Sequence, residues 1–317
     1  MTTNPTANLP LPLQVWLAHD IYDYSIDANT FSATALLKPI QALVLERRYP
    51  EEGTRQTNVR ASIGTAIHSA IEAAWKDPER LKSALVQLGY PKSKADKVAI
   101  NPENQDDCFP VYMEQRECKE IAGYKVSGKY DFIIDGVLHD FKTTSTAAYT
   151  YGSRDKDHAL QGSIYRWLNP TKITEDYIRI CYVFLDWKPS YTNNSDYPSD
   201  AAIYKDIPLL DVQETQRWIK QKLLAYDKAK QLPDPNLPRC SDEELWIDPP
   251  VFKYYSNPEK RERATKNFTS LVDANTYMAS KGGKGIVITT QGTPKRCAYC
   301  NAREHCNQAK EYFNENS

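Results

Sequence analysis

The sequence has almost no net charge. Its 40 Lys and Arg residues stand against 41 Asp and Glu, leaving −1 at neutral pH. No global basic field marks a nucleic-acid coat, so any surface for a polyanion has to be a local patch. No apolar run reaches the roughly 18 residues of a membrane span. Residues 1–11 carry Thr, Asn and Pro but no Lys or Arg ahead of an apolar stretch, unlike a secretory leader. There is no internal repeat, no low-complexity tract and no P-loop, so none of it reads as a solenoid or as a nucleotide-driven motor. Without a leader, an odd number of cysteines argues against a disulfide framework. There are seven, three of them within the last 21 residues, and they read as reduced thiols or metal ligands in a cytoplasmic setting.

What is present suffices for a sizeable core. The chain has 317 residues, 41% of them apolar and 11% aromatic, enough for one large domain or a core with two appendages. Periodicity predicts helices over 31–48, 61–75, 78–88, 155–168 and 212–231. Strands are expected over 111–117, 124–134, 137–143, within 173–187 and over 201–208. Residues 102–108 read as a polar loop and 232–238 as a proline-rich linker. The expected organisation is a helical part (1–100), an α/β core with a mixed central sheet between helices (101–231) and a cysteine-bearing tail (232–317).

The most informative run is 128–142. It reads as two strands joined by an Asp135-Gly136 turn, with Asp-x-Lys on the second. Strand side chains alternate, so Asp140 and Lys142 project from one face. Asp131, on the preceding strand, can approach that face. Two acidic oxygen donors and an ammonium at one point suit Mg²⁺-assisted phosphodiester cleavage. The same run also reads as an ordinary hairpin with solvated charges. On the helix at 61–75, Ile63, Ile67 and Ile71 form an apolar stripe, and Gly64, His68 and Glu72 form a second stripe beside it. His68 is then either a metal ligand at the edge of a buried face or a packed histidine. On the helix at 155–168, Gln161 and Tyr165 share a face with His158 one turn earlier, as phosphate or base contacts or as surface decoration. Residues 253–266 carry five positive and two negative side chains with Tyr254 and Tyr255. They read as a strand-tracking surface or a solvated excursion.

The ordered set Gly64-x3-His68-x3-Glu72, Gly128-x2-Asp131, Asp140-x-Lys142 and Gln161-x3-Tyr165 resembles the RecB-like branch of the PD-(D/E)XK nuclease superfamily over about 100 residues. The resemblance implies a restriction-endonuclease-like α/β core and Mg²⁺- or Mn²⁺-dependent DNA cleavage. His68, Asp131 and Asp140 would be metal ligands, Lys142 the catalytic lysine, and Gln161 and Tyr165 accessory residues. Glu114 stands where many relatives carry another acid. Exonuclease action is the first expectation, with an endonuclease or nickase on the same fold, or a non-catalytic DNA-binding scaffold, as alternatives. DNA is the implied partner. A strand-annealing recombination protein is a further one by analogy with stand-alone phage enzymes, which would place the protein in the host cytoplasm.

Cys297-x2-Cys300-x5-Cys306 resembles the cysteine tail of iron–sulfur nucleases in that branch, including the AddB nuclease domain, the CRISPR adaptation exonucleases and phage relatives. Those relatives carry a first cysteine upstream of the His motif. Here the matching region, residues 37–41, has none, and Cys240 is the plausible fourth ligand. His305, adjacent to Cys306, is a poor one. Thiolate ligation suits a [4Fe–4S] cluster, which the resemblance puts first, and also a structural Zn²⁺ as the alternative. Cys108, Cys118 and Cys181 read as core or strand residues.

Overall fold

The computed structural model describes residues 9–18, 27, 29–50, 59–104, 106–152 and 154–314. Along the chain the helices are α1 (Leu11–Ala18), α2 (Ala33–Leu36), α3 (Ile40–Arg48), α4 (Val59–Lys76), α5 (Pro78–Gln87), α6 (Lys92–Ala95), α7 (Thr146–Thr150), α8 (Asp155–Leu168), α9 (Val212–Ala229), α10 (Leu271–Ser280) and α11 (Asn307–Asn314). The strands are β1 (Thr30–Ser32), β2 (Val98–Ile100), β3 (Phe109–Met113), β4 (Arg116–Ile121), β5 (Tyr124–Lys129), β6 (Phe132–Ile134), β7 (Val137–Thr144), β8 (Tyr177–Phe184), β9 (Ala202–Pro208), β10 (Val251–Tyr255), β11 (Lys266–Phe268) and β12 (Ile286–Thr290). Contacts divide the chain into two compact units, Met1–Leu37 with Glu52–Leu224 and Lys38–Glu51 with Ala225–Ser317. No helix among the described residues is long and apolar enough to cross a membrane.

The first unit holds a six-stranded sheet of order β2-β3-β6-β7-β8-β9 and a three-stranded sheet of order β1-β5-β4. Pairing is mixed. β2 with β3, β7 with β8 and β1 with β5 are parallel, and the other pairs are antiparallel. Helices flank the sheets, which is the expected α/β architecture. The β6–β7 hairpin turns at Asp135 and Gly136, with φ of 52° and 76°, as a two-residue turn of the primed kind requires. Val111, Met113 and Phe132 form a buried cluster, and Ile71 and Trp75 of α4 pack against it. Ile71, the last of the isoleucine stripe, therefore packs inward.

Two expected strands turn out to be bent. Residues 111–117 and 124–134 each divide between the two sheets. β3/β6 and β4/β5 are two antiparallel ladders of one ribbon, broken at Glu114-Gln115 opposite Tyr130-Asp131. The corner keeps backbone pairing: Glu114 N–H donates to the Asp131 carbonyl at 3.0 Å and Tyr130 N–H to the Gln115 carbonyl at 3.3 Å. Tyr130 is fully buried and its hydroxyl donates to Gln115 Oε1 at 2.7 Å. Glu114 takes φ = 53°, a left-handed backbone uncommon for a long side chain. It therefore leaves the strand on which its alternation places it. Alternation reports strand character but not a change of sheet, since both halves keep period two.

The helix expected over 31–48 is also divided. Phe31 lies on β1, Ser32 caps α2 by accepting the Ala35 N–H at 3.0 Å, and the helix stops before Pro39. Proline has no N–H and biases its predecessor away from helical backbone. The division between the two units falls at the same place, Leu37/Lys38.

The second unit has its own small sheet, order β11-β10-β12, antiparallel throughout. Tyr277 of α10 packs edge-on against Tyr254, with ring centroids 5.3 Å apart. Tyr254 and Tyr255 are buried here, and the Tyr254 hydroxyl donates to the Lys284 carbonyl at 2.8 Å. These rings serve the core of this unit and present no stacking platform for bases. The proline-rich segment after α9 is held by Arg48, which pairs with Asp234 and donates to the carbonyls of Lys230 (2.8 Å) and Leu232 (2.6 Å).

Gly128 of β5 lets α8 approach the ribbon. A Cβ there would stand 2.6 Å from Leu168 Cδ1 and 2.8 Å from the Tyr165 ring. Gly128→Ala is therefore expected to destabilise the protein by about 1–3 kcal/mol. Urea denaturation of the variant beside wild type checks this, and an unchanged midpoint would refute the close packing.

Candidate active site

Three consecutive residues of β7 organise the site. Asp140 and Lys142 project together, as alternation predicts, and Lys142 Nζ lies 2.5 Å from Asp140 Oδ2. Asp140 is 2% exposed. Its Oδ2 is buried with no partner in hydrogen-bonding geometry among the described residues, so the lysine contact is an ion pair off the hydrogen-bond angle. Between them, Phe141 offers its backbone. Its N–H donates to Asp131 Oδ2 at 2.8 Å, and its carbonyl lies 2.8 Å from His68 Nε2. Asp131 sits at the ribbon corner rather than within a strand, and this frees its side chain to turn toward β7.

That carbonyl settles the histidine's tautomer. A carbonyl can only accept, so Nε2 carries the proton and Nδ1 is left to face Asp131 Oδ2 at 3.4 Å. Two lone pairs pointed at each other require a proton or a cation between them. Burial works to lower the His68 pKa, but the Asp131 and Asp140 carboxylates and the Phe141 carbonyl outweigh it and hold it above the usual value. Burial likewise opposes ionisation of Asp131, yet His68, Lys142 and the Phe141 N–H bring its pKa below the ordinary range. For Asp140 burial wins and the pKa is raised, against the pull of Lys142. Burial disfavours the Lys142 charge, but Asp140 and Asp131 more than compensate and raise its pKa.

All the motif residues line one cleft of about 310 Å³: Gly64, His68, Glu72, Glu114, Gly128, Asp131, Asp140, Lys142, Gln161 and Tyr165. A Cβ at Gly64 would meet Thr143 Oγ1 at 3.0 Å, which marks how closely α4 lies on β7. Glu72 pairs with Lys76 at 2.5 Å and Glu114 with Lys129 at 2.5 Å. Gln161 Nε2 donates to the Tyr165 hydroxyl at 3.1 Å, so the two are partners of each other and are buried rather than surface decoration. Sequence reading missed Arg116, Ser127 and Lys129, which line the same cleft. The position of Ser127 and Lys129 beside Gly128 hinted at those two, and no local pattern pointed to Arg116.

No three His, Cys, Asp or Glu side chains among the described residues are arranged to hold a metal ion as they are turned here. The donor set still fits a hard divalent cation. It offers a buried carboxylate oxygen on Asp140 that makes an ion pair but no hydrogen bond, and an Asp131 oxygen facing a histidine lone pair.

The four cysteines of the second unit also come together. Cys240, Cys297, Cys300 and Cys306 line one small cavity of about 30 Å³, walled by Ala42, Leu45 and Leu245. Burial pushes the Cys240 thiol up to about 12 and the Cys297 thiol to about 11, and raises that of Cys300. Gln41, from the segment that lacks a cysteine, is buried in the cavity wall. Its Oε1 accepts from the thiols of Cys240 (3.4 Å) and Cys306 (3.6 Å). Cys240 is further fixed by Gln308, which bonds both its N–H (2.8 Å) and its carbonyl (2.9 Å). Of the remaining cysteines, Cys181 lies on β8 and Cys118 is exposed on β4, while Cys108 lies in the loop before β3, neither core nor strand.

An Asp, an Asp and a Lys converging at an interior strand of a mixed sheet define a class of nuclease. The chain belongs to the PD-(D/E)XK nuclease superfamily, whose model matches residues 42–307. Among solved structures it is similar to SSO0001, with 18% identity, 67% of this chain and 83% of that one covered, and a TM-score of 0.42. It is similar also to a phage-related exonuclease from Haemophilus somnus 129PT (13% identity; 63% and 92% covered; TM-score 0.36). A third is the alkaline exonuclease from Laribacter hongkongensis (12% identity; 69% and 94% covered; TM-score 0.35). A comparison with curated proteins finds no match.

His158 stands behind this site, buried against Tyr182, and its pKa is lowered to about 4 by burial and by the Lys142 and Arg154 charges. Folded protein therefore keeps it neutral while the unfolded chain protonates it near 6.5. Its contribution is intact above that pH and is lost as pH falls from 6.5 toward 4, to a limit of about 3 kcal/mol. His158→Gln should flatten the stability curve across that window. Parallel urea-denaturation curves for wild type and variant between those pH values would contradict a neutral buried histidine.

Proposed function

We propose that the protein is a divalent-metal-dependent DNA exonuclease. The observation that carries this is the convergence of Asp131, Asp140, Lys142 and His68 around Phe141 in a chain of this superfamily. Asp131, Asp140 and His68 Nδ1 would hold Mg²⁺ or Mn²⁺, which when bound neutralises charge on the scissile phosphate and polarises its P–O bonds. The protein's own groups do the rest. Phe141 N–H keeps the Asp131 carboxylate aimed into the cleft, and Phe141 C=O keeps the His68 lone pair turned the same way. Lys142, charged and largely desolvated, donates to the attacking water or to the phosphate oxygens as negative charge grows. An ammonium held in place before the reaction is worth more than one recruited from solvent.

The cysteine cavity of the second unit supports a structural [4Fe–4S] cluster, or Zn²⁺ in its place, on Cys240, Cys297, Cys300 and Cys306. The four thiols line one cavity, and burial holds those of Cys240, Cys297 and Cys300 in the protonated form unless a cation is present, so metal binding would release protons. Cys240 then supplies the ligand that residues 37–41 lack.

End-labelled linear DNA and covalently closed circular DNA, incubated with Mg²⁺ or Mn²⁺, test the activity. Linear DNA should be degraded from its ends and closed circles spared; rapid nicking of circles would select an endonuclease. Lys142→Met should lower the rate by about 10²–10³ and Asp140→Asn should abolish cleavage in a folded protein. If neither substrate is cut, the chain is a binding scaffold. His68→Asn should weaken metal affinity, so activity should recover in part at high Mn²⁺. For the second unit, anaerobically purified protein should hold about four irons per chain, or one zinc, and Cys300→Ser should lower the melting temperature. Absence of both metals with an unchanged melting temperature would remove the metal centre.

A further inference from the structure

Arg116 and Lys129 are direct cross-strand partners on the β4–β5 ladder, and both line the cleft that contains Asp131, Asp140 and Lys142. Like charges directly opposite each other destabilise a sheet. A ladder selected for stability alone would not pair two cations at this register. The protein offsets part of the repulsion, since Glu114 Oε2 lies 2.5 Å from Lys129 Nζ. Arg116 is oriented by a diagonal bond, its Nη1 donating to Ser127 Oγ at 2.9 Å, and Ser127 is 2% exposed. Arg116, Lys129 and Glu114 thus line the same cleft as Asp131, Asp140, Lys142 and Glu72.

A phosphodiester strand carries one charge per nucleotide, so a phosphate next to the one being cut needs its own counter-charge. We propose that Arg116 and Lys129 form a second phosphate site that binds the phosphate adjacent to the scissile one in the same DNA strand. This rests on the nuclease reading and deepens it, because it makes the substrate an oligonucleotide rather than an isolated phosphate ester. The guanidinium fork presents paired donors to phosphate oxygens, and the lysine adds a point charge. Both are specificity residues, not part of the bond-breaking set.

The pair makes opposite demands on stability and on binding, and this separates a ligand site from a structural one. Arg116→Gln, which keeps a donor for Ser127, relieves the repulsion. Its melting temperature should equal or exceed that of wild type, while affinity for a fluorescein-labelled oligonucleotide, measured on the full chain without divalent cations, should fall roughly tenfold. Arg116→Lys should recover part of that affinity. In the Arg116→Gln/Lys129→Gln double variant, the slope of log affinity against log salt should drop by about 0.7 on single strands or 0.9 on duplex, one phosphate's worth. With Mg²⁺ present the loss should appear in KM more than in kcat. Cleavage by wild type with an unchanged slope in the double variant overturns the phosphate site alone. A wild type that never cleaves, while the slope still drops, overturns the nuclease reading and retains the site. A fall in melting temperature with unchanged affinity would make the pair structural and overturn the proposal.

Discussion

Asp140 is buried on β7 with Lys142 half-buried beside it, and the active-site cleft is arranged around that pair. Desolvating each ion costs several kcal/mol, and mutual attraction seldom returns a surplus over an apolar pair of the same volume. The direction of the Asp140 pKa, raised by burial in spite of the lysine, reflects that imbalance. Stability is therefore a poor reason for the pair. What it provides is a carboxylate oxygen without a hydrogen bond, and beside it an ammonium that keeps its proton. Phe141, between them, commits both of its backbone groups to Asp131 and His68. A shift of β7 by one residue would turn Asp140 and Lys142 away from the cleft together.

The bent ribbon is the second requirement. In a straight strand Asp131 would point across the ladder to a partner chosen by pleat alone. At the corner between β5 and β6 it is released from that alternation and reaches toward β7. The left-handed backbone at Glu114 and the buried Tyr130–Gln115 bond hold the corner. Such departures from regular pairing re-aim side chains near functional sites elsewhere in β structure. The same corner sets Arg116 and Lys129 at the start of the second ladder, within the same cleft as the carboxylates.

The second unit follows a different economy. Its three short strands and α10 form a modest core around Tyr254, Tyr277 and Phe268. The cysteines lie apart from that sheet, on tight turns at 295–299 and 303–305 and on the segment after α9. Turns of this kind have little apolar area of their own to bury, and a shared centre is the usual way small loop-rich segments gain stability. Gln41, accepting from two of the thiols, ties α3 to the same cavity.

Much of this was legible along the chain. The order of Gly64, His68, Glu72, Asp131, Asp140, Lys142, Gln161 and Tyr165 named the family. Periods of two and near four placed Asp140 with Lys142, and His68 beside the isoleucine stripe, because those periods follow from the geometry of a single strand or helix. Other features were not legible. The helix expected over 31–48 ignored the break at Pro39, and the strands expected over 111–117 and 124–134 ran through the corner. Tyr254 and Tyr255 read as a surface and are core. Local spacing alone fixed which side chains share a face. The position of Asp131 at the bend, the proton on His68 Nε2, the facing of Arg116 and Lys129, and the glutamine against the thiols were decided by tertiary structure. Each depends on the register between segments 13 to 265 residues apart, and local periodicity carries no information about that register.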